Sequence, residues 1–298
     1  MGIFLRKLWQ NKPKQWGPFS AVQSALFHNL ESMGIDPQDK TVAIPLWEMA
    51  GFFGRDIFGT EISSGYNSSG DPEWVGNTSY FYQTGHGGLC DSVEIKYGNF
   101  KTNYSKGSLL FRFKITGQAY PGLGHYILCA PDQGDFNSGI ILIYNDGTAT
   151  FRIRDTAGYY ALTSFTYTLN SWINLFVTWD LSSPFNLYAY VNGKYTGDAT
   201  GNGMRASGIY PDGLLIGAKA NYSSVPYYGF RGNVDTFLLS SNYTENKELT
   251  AIQHSDNPYQ LWQPVPQKTI FLPIGGGSTL LPIMMNMNQF NGGIYETD

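Results

Sequence analysis

Carboxylates and histidines are the residue types that most often carry catalysis, and this sequence of 298 residues spaces them poorly for it. The cluster that comes nearest to a catalytic arrangement, Asp91-Ser92-Val93-Glu94, would place its two acids on opposite faces of a strand, where they could not flank one bond. The histidines show no metal-binding spacing, and no nucleophile elbow or phosphate-binding loop is present. The sequence therefore favours a binding protein over an enzyme, although a Ser–His–Asp set assembled only in space stays open.

Tyrosines supply a better candidate for function. Tyr188 and Tyr190 alternate with apolar residues and should point away from a core, whereas Tyr195, Tyr227 and Tyr228 lie in or near loops. A tyrosine ring can stack on a sugar while its hydroxyl forms a hydrogen bond. The same residues also suit a protein interface or packing between layers. These five tyrosines are the candidate carbohydrate- or partner-binding set, with the three alternatives open.

The elements that would position these tyrosines are short strands. Apolar and polar residues alternate from Leu109 to Ile115, from Phe151 to Arg154, from Ile173 to Trp179 and from Leu187 to Val191. A period of two with one apolar face indicates strands that are covered on one side. Many such strands without helices between them predict an antiparallel sandwich or barrel.

Two turn sequences agree with the strand pattern. Asn192-Gly193 tolerates positive φ at both central positions and predicts a type I′ hairpin. Asn145-Asp146-Gly147 precedes the strand around Phe151 and predicts a second hairpin.

A helix is predicted near each end of the sandwich. The first runs from Ala21 to Met33, and Leu26 and Leu30 belong to its apolar stripe, which is followed by Gly34. That stripe must pack either on the sandwich or on a neighbouring subunit, and both alternatives stay open.

The second predicted helix begins near Thr244, which would serve as its N-cap. Leu249 and Ile252 should face inward, and Asn257-Pro258 should end the helix.

Extended arms are predicted outside these helices. Residues 1–18 are basic and carry Trp9 and Trp16, and the chain after Trp262 is Pro-rich, then Gly-rich, then apolar. We expect the arms, together with Leu26 and Leu30, to serve assembly, because an apolar tail is costly to leave in water. The predicted division is an arm and helix over 1–40, a sandwich over 41–262 and a C-terminal arm over 263–298.

Composition narrows the function classes further. Aromatic residues make up 16% and charged residues 14%, a balance that suits a β-sandwich and opposes disorder. The net charge of −4 argues against nucleic-acid binding. No stretch is apolar and long enough for a membrane span, the N-terminus does not have the pattern of a secretory signal, and Cys129 is expected to be buried.

Several segments resemble segments of the concanavalin A-like lectin/glucanase superfamily, and most closely of its laminin-G-like branch. They follow one another along the chain in the order that is usual for that superfamily. The matching segments are Gly107–Ile115, Trp172–Asp180, the hairpin Leu187–Lys194, Leu215–Gly217 and Gly232–Phe237. The ending from Asn257 to Trp262 resembles members that phages and prophages encode. The resemblance covers residues 42–262 and implies an all-β, antiparallel two-sheet jelly-roll sandwich.

The resemblance also bears on catalysis and metals. The glucanase branch carries Glu-x-Asp-x-Glu on one strand, and this sequence has no such triplet, which argues against a glycosidase of that branch. Some members bind a structural calcium, for which Asp56 and Asp235 stand at plausible positions. The alternative is that Asp56 caps a turn and Asp235 forms a surface hydrogen bond. No other cofactor is expected.

Three functions follow from these observations. The first is a non-enzymatic phage virion protein, such as a capsid decoration, head-fibre or tail-associated subunit, on the particle exterior. Its partners would be further copies of itself, other virion proteins and a cell-surface glycan. The second is a free bacterial carbohydrate-binding lectin that is extracellular or on the cell surface. The third is a divergent glycoside hydrolase with two facing acids.

Overall fold

The structure is a computed structural model of the chain. It describes residues 26, 28–31, 35, 42–45, 63–64, 73–75, 78–81, 92–95, 103–118, 122–132, 135–157, 160–182, 186–201, 210–211, 213–219, 229–259, 262, 267–273 and 280–286. Trp9, Trp16, Asp56, Tyr227 and Tyr228 lie outside the described residues.

Strands dominate the described part of the chain, with one complete helix, α1 (Lys247–Asp256), near its C-terminal end. The strands are β1 (Val42–Pro45), β2 (Ser63–Ser64), β3 (Glu73–Val75), β4 (Thr78–Phe81), β5 (Val93–Ile95), β6 (Lys106–Ile115), β7 (His125–Asp132), β8 (Asp135–Asn145), β9 (Thr148–Arg154), β10 (Tyr160–Thr166), β11 (Trp172–Asp180), β12 (Asn186–Val191), β13 (Lys194–Asp198), β14 (Thr200–Gly201), β15 (Leu214–Ile216), β16 (Gly232–Ser240), β17 (Gln267–Pro273) and β18 (Leu280–Asn286).

Two antiparallel sheets form the sandwich. The front sheet has the order β13-β12-β11-β6-β16-β4-β3, and β1 also pairs with β16. The back sheet has the order β14-β10-β9-β8-β7-β15-β5-β2. The predicted all-β, two-sheet jelly-roll sandwich is confirmed. β17 and β18 form a separate two-stranded hairpin.

The main core lies between the two sheets and is strongly aromatic. Phe111, Phe113, Phe151 and Phe237 are fully buried there, and the Trp179 indole N–H donates to the Tyr104 carbonyl over 2.8 Å. The apolar residues of each predicted strand therefore face the main core, as the alternation predicted.

A second core covers the outer face of the front sheet. We call it the outer core, and it contains Leu26, Leu30, Ile35, Ala43, Leu110, Phe176, Tyr190, Leu238, Ala251, Tyr259 and Trp262. Strands β6 and β11 are consequently buried on both faces, which one-sided alternation did not predict. The physical reason is that the terminal helical segments fold back over this sheet.

Of the N-terminal helical residues, 26 and 28–31, Leu26 and Leu30 belong to this outer core. Leu26 and Leu30 are both 0% exposed, so packing on their own sandwich is the alternative that the structure adopts. These two leucines therefore pack within their own sandwich, and the assembly role expected of them stays a prediction. The Ile35 N–H donates to the Leu30 carbonyl over 2.9 Å.

The orientation predicted for the C-terminal helix is wrong. Leu249 and Ile252 are 54% and 49% exposed, whereas Ala251 and His254 are buried. The helix buries Thr250, Ala251 and His254 against the sheet. Its N-cap is Asn246, not Thr244, and Thr244 is buried with its N–H donating to Thr178 Oγ1 over 2.9 Å. The predicted end is confirmed, because α1 stops immediately before Asn257.

Both predicted hairpin turns are confirmed. Asn192 and Gly193 have φ values of 51° and 75°, and Asp146 and Gly147 have φ values of 42° and 83°. Positive φ at both central positions is the signature of a type I′ turn. Cys129 is buried, as expected. Within the described residues, no helix has the length and apolar character needed to cross a bilayer.

Candidate binding surface

A tyrosine-bearing surface lies at the β13 edge of the front sheet. Helix α1 lies over β11, β12 and β13, and the Asn192-Gly193 turn abuts it. This contact brings side chains of the helix next to Tyr188 and Tyr190, and Tyr195 packs against Tyr190. We call the set Tyr188, Tyr190, Tyr195, Asp198, Lys247 and Glu248 the tyrosine surface.

Tyr195 is the exposed member of this surface. Its side chain is 52% exposed, and its hydroxyl donates to Asp198 Oδ1 over 2.7 Å. Donation to the carboxylate raises the pKa of Tyr195 to about 12, and the same bond lowers the pKa of Asp198. The hydroxyl therefore stays protonated at physiological pH, the carboxylate stays charged, and the ring is held in one orientation.

A β-bulge places Tyr195 and Asp198 together. Residues three apart on a regular strand face opposite sides. The pairing shifts between Ala189 and Tyr190, so Tyr195 lies opposite Tyr190 and Asp198 lies opposite Tyr188. The Thr196 hydroxyl donates to the Ala189 carbonyl over 3.0 Å and stabilises the bulge. Asp198 was missed at the sequence level because alternation gives no sign of this irregularity.

Tyr190 faces away from the main core, as predicted, but lies beneath α1. It is 3% exposed and packs on Phe176, with ring centroids 5.9 Å apart. Its hydroxyl donates to Glu248 Oε1 over 3.1 Å, and burial, followed by Glu248, raises its pKa. Tyr190 therefore supports the neighbouring Tyr195 ring, at a centroid distance of 5.6 Å, and does not face a ligand itself.

Tyr188 is half-buried, and its ring face is occupied. The Lys247 ammonium lies 4.4 Å from the ring centroid, which is a cation–π contact. Lys247 and Glu248 are adjacent at the start of α1, so this end of the helix places one cation and one carboxylate beside the tyrosines. Sequence analysis missed both residues because it predicted a different inward face for the helix.

The tyrosine surface has the chemistry of a shallow polar platform. Tyr195 offers a ring face, Asp198 and Glu248 offer acceptors for hydroxyl groups, and Lys247 offers a donor. Sugars present apolar ring faces bordered by hydroxyls, which this combination of groups matches.

The predicted calcium ligand Asp235 is buried within the sandwich and not at its surface. It is 0% exposed, and Arg112 Nε donates to its Oδ2 over 2.8 Å. The Tyr259 hydroxyl donates to the same oxygen, and burial, followed by the charge of Asp235, raises the pKa of Tyr259. The Arg112 guanidinium thus neutralises the Asp235 carboxylate, so the structure does not support Asp235 as a calcium ligand. Within the described ranges, no three or more His, Cys, Asp or Glu side chains are grouped so as to hold a metal ion.

Comparisons with known proteins establish the fold. A scan against known protein families finds no match, and a search of curated proteins finds none. Among solved structures, the ligand-binding domain of botulinum neurotoxin serotype D in complex with N-acetylneuraminic acid is similar, with a TM-score of 0.53, 15% identity and coverage of 75% of this chain and 52% of that one.

Two further neurotoxin structures are similar in the same way. The receptor-binding domain of botulinum neurotoxin D gives a TM-score of 0.51 at 13% identity, covering 71% of this chain and 51% of that one. A botulinum neurotoxin type C structure, from a toxin whose cell entry depends on interaction with two ganglioside molecules, gives 0.51 at 14% identity, covering 76% and 53%. This chain spans about half the length of the structures it matches. At such identities the likeness shows a shared sandwich fold.

Proposed function

We propose that the chain is a non-enzymatic, lectin-like protein that binds a sugar on its tyrosine surface. The observation that carries this proposal is the exposed Tyr195 ring, which Asp198 holds in place beside free acceptor capacity. A fixed ring loses little conformational entropy on binding, so stacking contributes more of its energy to affinity. The similar neurotoxin structures, one in complex with N-acetylneuraminic acid, support a sugar as the ligand of this fold.

The test is a glycan array followed by titration of the best-bound glycan. Replacement Tyr195→Ala should weaken binding about tenfold, because stacking of an aromatic ring is worth roughly 1 kcal/mol or more. Tyr195→Phe keeps the ring but loses the hydrogen bond to Asp198 that holds it, so it should weaken binding less than Tyr195→Ala does. Tyr210→Ala is the matched control, because Tyr210 is also exposed, at 40%, and lies outside the tyrosine surface.

Two outcomes of this experiment would oppose the proposal. Unchanged binding by Tyr195→Ala would place the sugar elsewhere, and failure of every glycan to bind would remove the lectin-like role. Release of new reducing ends from a bound glycan would instead favour the divergent glycoside hydrolase.

We further propose that the protein works on the exterior of a phage virion, as a decoration, head-fibre or tail-associated subunit in several copies. The β17–β18 hairpin supports this setting, because an isolated two-stranded hairpin is marginally stable in water and gains stability from a partner surface. The alternative is a free lectin, extracellular or on a bacterial surface, which needs no such partner. Incorporation into phage particles separates the two settings.

A further inference from the structure

The outward face of the back sheet carries two neighbouring arginines that no described acid neutralises. On β9 the burial pattern alternates, so Ala149, Phe151 and Ile153 face the main core while Arg152 and Arg154 face outward. Residues two apart on one strand face lie about 6.8 Å apart. The two guanidinium groups therefore project side by side from one strand.

Each of these arginines has a buried nitrogen without a partner. The Nε atoms of Arg152 and Arg154 are buried, and neither has a hydrogen-bond acceptor among the described residues. A buried N–H left without an acceptor costs free energy, more so for a charged group. Both arginines are half-buried, so part of each side chain reaches solvent.

The neighbouring strands supply apolar walls and no counter-charge. Arg152 lies opposite Ile141 of β8 and Leu162 of β10. Arg154 lies opposite Gly139 of β8 and Tyr160 of β10. The ion pairs of the described residues involve Arg112, Lys106 and Lys247, and neither Arg152 nor Arg154.

Hydroxyl groups extend the same row of side chains. Thr150 precedes Arg152 by two residues and therefore shares its face, and Thr150 Oγ1 lies 2.9 Å from Ser164 Oγ. A ligand across this row would meet two guanidinium forks and then two hydroxyls. That sequence of groups matches an oxyanion followed by sugar hydroxyls.

We propose that Arg152 and Arg154 form a second binding site, which takes the carboxylate or sulfate of an acidic saccharide. A guanidinium fork binds a planar or tetrahedral oxyanion through two parallel N–H···O bonds, and such charge-assisted bonds are stronger than neutral ones. The choice of a saccharide as carrier rests on the proposed lectin-like function, whereas the oxyanion chemistry stands on the arginines alone.

The test measures binding of the full chain to a heparin-derived hexasaccharide and to hexagalacturonate at 150 mM salt, where non-specific attraction is screened. Arg152→Gln and Arg154→Gln should each weaken binding about tenfold, and the double variant by about a hundredfold. Lys106→Gln is the charge-matched control and should have no effect, because Lys106 lies on the front sheet in an exposed pair with Asp180. The double change to lysine keeps the charge and loses the fork, so it should also weaken binding.

Other results would overturn the second site. Unchanged binding by the double lysine variant would mean that positive charge alone attracts the saccharide. Unchanged binding by the double glutamine variant would mean that the acidic saccharide binds elsewhere on the protein. No binding of either acidic probe by the unmodified chain would also remove the site. Inorganic sulfate that competes with the saccharide at equal concentration would show that the site binds an oxyanion without needing a saccharide. That result would contradict the proposal that the oxyanion belongs to a saccharide.

The two proposals fail separately. Acidic probes that depend on the arginines while no neutral glycan binds would keep the second site and remove the tyrosine surface as a sugar site. Glycan binding that depends on Tyr195 and not on the arginines would do the reverse.

Discussion

His254 is buried in the folded protein, and its burial favours the neutral form of the imidazole. It lies on the buried face of α1 and is 3% exposed. Burial, followed by the positive charge of Arg112, lowers its pKa from 6.5 to about 3. Arg112 cannot move away easily, because Asp235 and Asn174 both accept hydrogen bonds from it.

The lowered pKa of His254 predicts that acid weakens the fold. Above pH 6.5 the histidine is neutral in both states and contributes no pH dependence. As the pH falls through 6.5, His254 binds a proton in the unfolded chain. In the folded chain it stays neutral until the pH approaches its lowered pKa of about 3. Between pH 7.5 and 5 the free energy of unfolding should therefore fall by about 2 kcal/mol from this residue.

Urea unfolding of the wild type and of His254→Leu at the two pH values measures this effect. The variant has no titrating group at this position, so its stability should fall by about 2 kcal/mol less than that of the wild type over the same range. Parallel pH dependences for the two proteins would contradict the prediction. Carboxylates elsewhere titrate equally in both proteins and cancel in the comparison.

At the scale of elements, strands and turns were predictable, and their irregularities were not. The alternation in β6 and β11 identified the residues of the main core, and Asn192-Gly193 identified a turn with positive φ. These are local features that a few neighbouring residues determine. The bulge that unites Tyr195 with Asp198 depends on pairing with β12, which no local pattern reports.

The C-terminal helix shows a second limit of sequence patterns. Leu249 and Ile252 form the more apolar stripe, yet they face solvent. Ala251 and Thr250 face the sheet because small side chains permit a close approach, and the outer core is completed by Tyr259 and Trp262 from beyond the helix. The buried face was thus decided by the shape of a surface formed by distant strands.

Strand β6 contains a glycine that its packing requires. A Cβ on Gly107 would collide with the Trp179 ring and would lie 2.8 Å from the Ser240 carbonyl oxygen. Gly107→Ala should therefore lower the free energy of unfolding by about 1–3 kcal/mol, the usual cost of overpacking a core. Denaturant unfolding measures the loss.

The matched control for this change is Gly124→Ala. A Cβ there would meet only Ile143 Cδ1, at 3.9 Å, which is ordinary contact. Equal stabilities for Gly107→Ala and the wild type would show that Trp179 can shift without cost, which the fully buried ring opposes.

At the scale of the whole molecule, the two candidate sites lie on different sheets. The tyrosine surface belongs to the edge of the front sheet and α1, whereas Arg152 and Arg154 face outward from the back sheet. A sandwich that binds on both sheets could hold two parts of one polysaccharide or two separate chains. Such two-sided attachment suits an exterior adhesive protein, because linked contacts raise the overall affinity beyond that of either site.

The outer core determines where the terminal arms can be removed. Leu26, Leu30 and Ile35 cover Leu110 and Phe176, so a deletion of residues 1–40 would expose this apolar face and destabilise the sandwich. A deletion that tests assembly alone must therefore end before residue 26. At the other end it must begin after Trp262, which is 1% exposed.

Deletion of residues 1–18 or of residues 263–298 should leave the sandwich folded and abolish incorporation into phage particles. The first deletion removes the basic, tryptophan-bearing arm, and the second removes the β17–β18 hairpin, whose strands pair with each other and with no other described strand. Complementation of a phage that lacks the gene, followed by sedimentation of the particles, measures incorporation. Unfolding in urea supplies the control, because each truncated chain should keep its midpoint when the arms contribute only to assembly. Normal incorporation of either truncated chain would contradict the assembly role of the arms. A full-length chain that never sediments with particles would favour the free lectin.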